Sequence, residues 1–147
     1  MIIRNVALLG MVLLAIVHSS HIFPQTYRIK TATLNNGSAV YTDVFEYDYV
    51  DDQPEFPGGS SQMIKFINNT RQYPEEAYEL GIEGRVTCSF IVHPDGKISH
   101  IQVLKGVESS LNQEAMRIVS MMPDWIPGRK NDKPVAVRVI CGIPFRR

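Results

Sequence analysis

The side chains that most often carry chemistry are sparse in this sequence of 147 residues. It contains two cysteines, Cys88 and Cys141, and four histidines. His93 and His100 flank a Pro-Asp-Gly turn, but a protein zinc site normally needs three or four ligands. Two histidines therefore do not predict a metal site, and we interpret them as exposed strand residues. The cysteines lie in apolar strand-like segments, where either a disulfide or two buried small side chains are expected.

No sequence pattern indicates an enzyme. We find no Gly-x-Ser-x-Gly motif, no cysteine and histidine in a catalytic context, and no carboxylate pair placed for acid–base chemistry. Fifteen basic residues balance fifteen acidic ones, so the net charge gives no reason to expect nucleic acid as a partner. We therefore predict a binding protein without catalytic residues, cofactors or a metal.

The strongest pattern lies at the end of the chain, between Pro123 and Phe145. Every second residue of its last strand-like run is apolar, which is the period of a strand with one buried face. This strand is the last element, so its free side is expected to be a sheet edge, and an exposed edge accepts a strand from another chain. The predicted partner-binding residues are Val135, Ala136, Val137, Arg138, Val139, Ile140, Cys141, Gly142 and Ile143.

The only tryptophan of the chain stands just before this strand. We interpret Trp125, Pro127 and Gly128 as a structural corner that turns the chain from a helix into the last strand. The alternative is that Trp125 serves as a platform on which a ligand stacks.

The first residues have the composition of a targeting segment. A positive charge at Arg4 precedes an apolar run from Val6 to Val17, and a short polar end follows. The run is shorter than the roughly 20 residues of a membrane span, so residues 1–20 are predicted to be a secretory signal peptide. The alternative is an uncleaved membrane anchor of residues 2–23. Either segment predicts export of the rest of the chain.

A β-hairpin or linker is predicted for residues 24–53. Two strand-like runs, Tyr27–Leu34 and Ala39–Tyr49, flank an Asn-Gly turn, which is the strongest short hairpin signal. Because a two-stranded hairpin is marginal in water on its own, it either packs on the main domain or stays mobile.

Residues 54–147 are predicted to form the main domain. Two short helices precede two strands that a Pro-Asp-Gly turn joins, and a third helix leads to the last strand. Strands and helices are segregated along the chain, which indicates an α+β fold. We expect a small three-stranded antiparallel sheet with helices on one face, because a sheet that is apolar on one side must be covered there.

The main domain resembles the C-terminal domain of TonB, the energy transducer of Gram-negative bacteria. The resemblance rests on short segments that occur in the same order and at the same spacing. They are Tyr73-Pro74 to Gly84-Arg85-Val86, Asp95-Gly96-Lys97-Ile98, Glu114-Ala115, Trp125-Ile126-Pro127-Gly128-Arg129, Lys133-Pro134-Val135 and Pro144-Phe145. The upstream segment Pro54–Gly59 resembles the Bacteroidetes branch of this family.

The resemblance implies both a fold and a function. The family fold is a three-stranded antiparallel sheet with two helices on one face, and its last strand lies at an edge beside the first strand. Its members bind the TonB box, a short segment of outer-membrane receptors, by adding it as a strand to that edge. Inner-membrane proton-motor proteins drive the uptake of siderophores or other nutrients through these receptors. By this resemblance the chain is a periplasmic protein of energy-coupled transmembrane transport.

The same strand order bears on the cysteines. The family places the strands of Cys88 and Cys141 side by side, and both side chains fall on the inward-facing positions. A disulfide between them is therefore a candidate, on condition that their Cα atoms lie within ~7 Å.

Two features depart from the family pattern. Tyr78 stands where enterobacterial proteins have a glutamine that contacts the box, so Tyr78 is an additional candidate for partner contact. About thirty residues separate Pro24 from Pro54 and reach at most roughly 100 Å, whereas the family has a long proline-rich spacer. The short spacer favours an alternative function, a secreted module that pairs with a second copy of itself or competes for TonB boxes.

Another alternative comes from Gln102–Gly106, which nearly matches the Gln-x-Val-x-Gly loop of the cystatins. Leu104 replaces the valine, and a helix rather than a second strand follows. A protease inhibitor or a small hydrolase is therefore disfavoured.

Overall fold

The computed structural model describes residues 26–147. The predicted signal peptide of residues 1–20 and the alternative anchor of residues 2–23 lie outside these residues. Within the described part of the chain, none of the helices has both the length and the apolar character needed to cross a membrane.

Strands and helices follow one another in the predicted order, with one additional short strand. In chain order the elements are β1 (Thr26–Thr33), β2 (Ala39–Glu46), a 3-10 helix (Tyr47–Tyr49), α1 (Gly59–Thr70), α2 (Glu75–Glu79), β3 (Gly84–Val92), β4 (Ile98–Lys105), α3 (Ser109–Ser120), β5 (Gly128–Lys130) and β6 (Lys133–Phe145). The α+β class is confirmed.

The sheet has more strands than predicted, and they are not all antiparallel. Its strand order is β1-β2-β6-β3-β4, and β5 pairs with the start of β6. β3 lies antiparallel to both β4 and β6, but β2 lies parallel to β6. The prediction of a three-stranded antiparallel sheet is therefore wrong in this detail. The physical reason is that the β1–β2 hairpin, which is marginal alone, gains backbone pairing and burial by joining the sheet.

The main core lies between the helices and one face of the sheet, as predicted. Alternate residues of β3 and β6 point to this face and are buried against the apolar sides of α1, α2 and α3. The largest fully buried side chains in it are Phe90, Phe145, Leu111, Ile118 and Ile143.

A second, smaller cluster on the opposite face attaches the hairpin. Val44 of β2 is fully buried against Ile91 of β3 and Ala136 of β6. Tyr27 and Ile29 of β1 pack on these three residues, so the hairpin covers part of the face that the helices leave open.

β5 and β6 form a tight hairpin that the sequence analysis missed. Asn131 and Asp132 form its two-residue turn, with φ angles of 49° and 60°. A type I′ turn requires this left-handed conformation at both positions, and short polar Asn and Asp side chains tolerate it better than most residues do. The Asn-Asp pair just before the last strand was the signal for this turn.

Candidate functional site

The predicted edge strand is flanked on both sides over part of its length. Val137–Phe145 pair with β3, Ala136–Arg138 pair with β2, and Lys133–Val135 pair with β5. Among the described residues, Val139–Pro144 have no strand partner on the side away from β3. We call Val139–Pro144 the open edge.

The open edge contains five of the nine predicted binding residues, from Val139 to Ile143. The other four, Val135, Ala136, Val137 and Arg138, pair with β5 or β2. The expectation of a free edge along the whole strand is wrong for these four residues, because the hairpin strand β2 and the short strand β5 already pair with them.

The backbone groups of β6 alternate in direction along the open edge. Pro144 has no N–H, and a strand tolerates proline where the missing donor would point away from the neighbouring strand. The carbonyl oxygen of Pro144 accepts a hydrogen bond of 2.6 Å from Nη1 of Arg71, the residue that follows α1. Since successive residues point to opposite sides, we infer that Ile140 and Gly142 also direct their N–H and C=O groups to the open edge. An added strand needs such donors and acceptors.

Two adjoining grooves follow the open edge. The first, of about 420 Å³, lies between the 3-10 helix, the Pro54–Phe56 segment and the start of the open edge. The second, of about 340 Å³, lies between α1 and the rest of the open edge. Met63, Ile140 and Cys141 line both, and we call the two together the edge groove.

Apolar side chains are exposed on both walls of the edge groove. Ile140 of β6 is 54% exposed and Ile64 of α1 is 57% exposed. A contiguous apolar surface beside unpaired backbone groups is typical of a site that binds another protein chain.

An ion pair marks the point at which the open edge begins. Glu46 Oε2, at the end of β2, accepts hydrogen bonds from Arg138 Nε at 3.1 Å and Nη2 at 3.0 Å. Together with the burial of Val44, this pair holds the end of β2 against β6.

Trp125 belongs to the main core and also lines the first part of the edge groove. Its ring packs edge-on against Phe56 and Phe90, with ring centroids 5.7 and 5.3 Å apart. Its backbone N–H donates to the carbonyl oxygen of Gly96 at 2.8 Å. The buried indole Nε1 has no hydrogen-bond partner among the described residues. These contacts suit a packing residue better than an exposed stacking platform.

Pro127 and Gly128 bring the chain from Trp125 into β5. A Cβ atom at Gly128 would lie 2.7 Å from Val137 Cγ2 and 3.2 Å from the carbonyl oxygen of Asp52. Only glycine therefore lets this turn pack so closely against β6.

Cys88 and Cys141 lie directly opposite each other on β3 and β6. Both thiols are free in the structure, and both side chains are buried. Directly opposed residues of antiparallel strands have Cα atoms about 4.5–5.5 Å apart, which is within disulfide range. Burial raises the pKa of the Cys88 thiol, and burial together with the nearby Cys88 raises the pKa of Cys141 to about 12. The disulfide stays a prediction.

Tyr78 lies on α2, outside the edge groove. Its ring packs edge-on against Tyr73 with a centroid separation of 5.5 Å, and the Arg147 guanidinium carbon lies 5.9 Å from its centroid. Tyr73 in turn packs on Phe145 at the end of β6. Tyr78 is thus near the last residue of β6, and its contact with a partner stays a prediction.

The two histidines that flank the Pro-Asp-Gly turn are joined through Ser99. His93 Nε2 lies 2.5 Å from Ser99 Oγ, which lies 2.7 Å from His100 Nδ1. His93 is half-buried rather than exposed, and this burial lowers its pKa. Among residues 26–147, His, Cys, Asp and Glu side chains form no group of three or more that could hold a metal ion.

Comparison with protein families gives a match over more than half of the chain. The family described as "Gram-negative bacterial TonB protein C-terminal" matches residues 69–146. These residues include β3, β6 and the open edge. A comparison with curated proteins found no match.

Three similar solved structures are NMR structures of TonB C-terminal domains. Two come from Helicobacter pylori. The first is 25% identical with a TM-score of 0.43, and the match covers 58% of this chain and 90% of that chain. The second is 25% identical with a TM-score of 0.41, and covers 62% and 88%. The Pseudomonas aeruginosa domain is 30% identical with a TM-score of 0.39, and covers 52% and 80%.

Proposed function

Because the chain belongs to the Gram-negative bacterial TonB protein C-terminal family, we propose that it binds outer-membrane receptors by adding their TonB box as a strand to the open edge. The observation that carries the proposal is the open edge, which among the described residues has no strand partner on the side away from β3 and lies beside an apolar groove. Main-chain hydrogen bonds give such a site affinity without fixing most side chains.

The dimensions of the open edge set the length of the bound segment. Six residues of strand span about 20 Å at roughly 3.3 Å per residue. β2 runs parallel to β6 and ends beside Arg138, so a segment that begins beyond β2 meets the open edge without displacing the hairpin. Buried Val44 and the Glu46–Arg138 pair keep β2 in place.

The wider role follows from the family alone. We propose that the protein acts in the periplasm in energy-coupled transport of siderophores or other nutrients, with inner-membrane proton-motor proteins as further partners. The Bacteroidetes branch remains the expected branch of the family on the residues of Pro54–Gly59.

The alternative function, pairing with a second copy of the chain, is favoured by one separate observation. β1 forms the outer edge of the sheet, and Leu34 and Tyr41 of the hairpin are exposed apolar residues. Sedimentation of the exported protein separates the alternatives, since self-association through β1 predicts a dimer and receptor binding alone predicts a monomer. N-terminal sequencing of the exported protein decides between cleavage and an anchor.

Peptide binding tests the proposed strand addition. Synthetic TonB-box peptides are titrated against the protein, and a series of peptides carries a single N-methyl group at each position in turn. An added strand uses the amides of alternate residues, so methylation is expected to abolish binding at every second position only. Binding that responds to every position equally, or no binding at millimolar peptide, would exclude strand addition. The unmethylated peptide and those methylated at the tolerant positions serve as matched controls.

A further inference from the structure

An arginine of β3 lies across the outer face of β6, beside the open edge. A Cβ atom at Gly142 would meet Arg85 Cδ at 2.7 Å and Nε at 2.8 Å, so the arginine side chain occupies the space over this glycine. Arg85 also lines the second part of the edge groove together with Ile140 and Pro144. Its side chain is exposed, and none of the ion pairs between described residues includes it.

The other charged groups near this end of the groove are already engaged or have the same sign. Arg71 donates to the carbonyl oxygen of Pro144, and Glu83 pairs with Arg147 at 3.5 Å. Arg146 lies close to Arg85 and adds to the positive potential. A carboxylate brought to this surface therefore meets an unpaired guanidinium rather than a neutralised one.

The two walls of the edge groove present different chemistry to an added strand. Side chains of a strand alternate between the two faces of a sheet, and those of neighbouring strands on one face lie next to each other. On the inner face an added strand meets Met63, Ile64 and Ile67 of α1. On the outer face it meets Ile140 and the Arg85 side chain that covers Gly142.

We propose that the edge groove selects an extended segment in which aliphatic residues face α1 and an acidic residue faces outward next to Arg85. This inference rests on the proposed strand addition and adds to it a rule for side chains. The carboxylate accepts a charge-assisted hydrogen bond from the guanidinium, and the aliphatic residues bury against α1. Because Arg85 is exposed to solvent, the expected gain is that of a surface ion pair.

Alternating peptides test this rule directly. The probe is a capped eight-residue peptide in which valine alternates with threonine, measured against the exported protein by calorimetry. Further peptides carry one glutamate, or the isosteric glutamine, at a single threonine position. At one of these positions the glutamate peptide is expected to bind about two- to fivefold more tightly than the glutamine peptide, which is the range for an exposed ion pair. The difference is expected to shrink at high salt.

Matched variants connect the preference to Arg85. In Arg85→Gln the glutamate and glutamine peptides are expected to bind equally, while Arg85→Lys retains part of the preference. Arg28→Gln removes the same charge from an exposed pair on the hairpin and is expected to leave the preference unchanged. Far-ultraviolet circular dichroism and melting curves confirm that each variant is folded.

The outcomes separate the rule from the function on which it rests. Equal binding of the glutamate and glutamine peptides to the unsubstituted protein overturns the rule and leaves strand addition intact. A preference that persists in Arg85→Gln also overturns the rule, since another group must then recognise the carboxylate. If neither the alternating peptides nor TonB-box peptides bind, both the rule and the proposed function fail.

Discussion

Glu114 joins two helices through hydrogen bonds to both of its carboxylate oxygens. Oε1 accepts from the backbone N–H of Gln72 and from Arg117 Nη2, each at 2.7 Å. Oε2 accepts from Arg117 Nε at 2.7 Å, and the same guanidinium donates to the carbonyl oxygen of Thr70 at the end of α1. Burial raises the pKa of Glu114, but the hydrogen bonds from Arg117 and Gln72 outweigh it, so the pKa is lowered.

We predict that Glu114→Gln lowers the free energy of unfolding by about 1–3 kcal/mol, because it removes the charged acceptor from the partly buried hydrogen bonds of Arg117 and Gln72. Urea unfolding measures the loss, and Glu79→Gln on the exposed side of α2 is the matched control. A lowered pKa in the folded protein gives its full stabilisation above the ordinary carboxyl pKa and loses it as the pH falls toward the lowered value. The difference from the unsubstituted protein should therefore decrease as the pH falls below about 4.5. A difference that stays constant down to pH 3 would contradict this assignment.

The cysteine pair gives a second prediction at the residue scale. Because burial raises the pKa of both thiols and only the thiolate is nucleophilic, neither is expected to react with iodoacetamide at pH 7.5 in the folded protein. Unfolding in denaturant should expose both. Mass spectrometry after alkylation of the unfolded, unreduced protein then tests the predicted disulfide, since a disulfide blocks both additions. Fast labelling of the folded protein would contradict the buried placement of Cys88 and Cys141.

At the scale of elements, the local pattern of the sequence predicts those segments whose structure has a local cause. The strand Gly84–Val92 leads into the predicted Pro-Asp-Gly turn, because its alternating apolar residues end there and the turn glycine takes φ +85°. The parallel pairing of β2 with β6 was not predictable in this way. Nothing near Val44 in the sequence indicates that Ala136 is its partner, since the pairing depends on a cluster built from three distant strands.

Val44 is the residue on which attachment of the hairpin depends. Val44→Ala removes two buried methyl groups, at about 0.8 kcal/mol for each buried carbon, and leaves a cavity beside Ile91 and Ala136. We predict faster amide hydrogen exchange throughout β1 and β2, with β3 and β4 unaffected. The partly exposed Val40 in the same strand provides the control, because Val40→Ala should leave exchange nearly unchanged. Equal effects of the two substitutions would show that the hairpin does not depend on this cluster.

At the scale of the whole molecule, the family match covers the open edge but leaves out most of the segments that surround it. The open edge lies within residues 69–146, which match the family, whereas β2 and most of α1 lie before residue 69. The family match therefore covers the strand to which we propose that a partner is added. The segments that bound the open edge, β2 at its start and α1 along its side, are supplied by the preceding part of this chain.

This division explains which parts of the candidate site the sequence could indicate. The alternation in β6 and the resemblance together pointed to the last strand. The occupied half of that strand, and the arginine over Gly142, depend on which elements meet in space. A pattern along one strand contains no information about its neighbours, so these features required the structure.

Amide hydrogen exchange along β6, measured by NMR with and without a TonB-box peptide, tests the central claim most directly. In the free protein, Val139, Cys141 and Ile143 should be protected by pairing with β3, while Ile140 and Gly142 exchange quickly. On peptide binding, Ile140 and Gly142 should become protected and the other three should change little. Ile140 and Gly142 amides that are already protected in the free protein, or that stay unprotected in the complex, would contradict strand addition at the open edge.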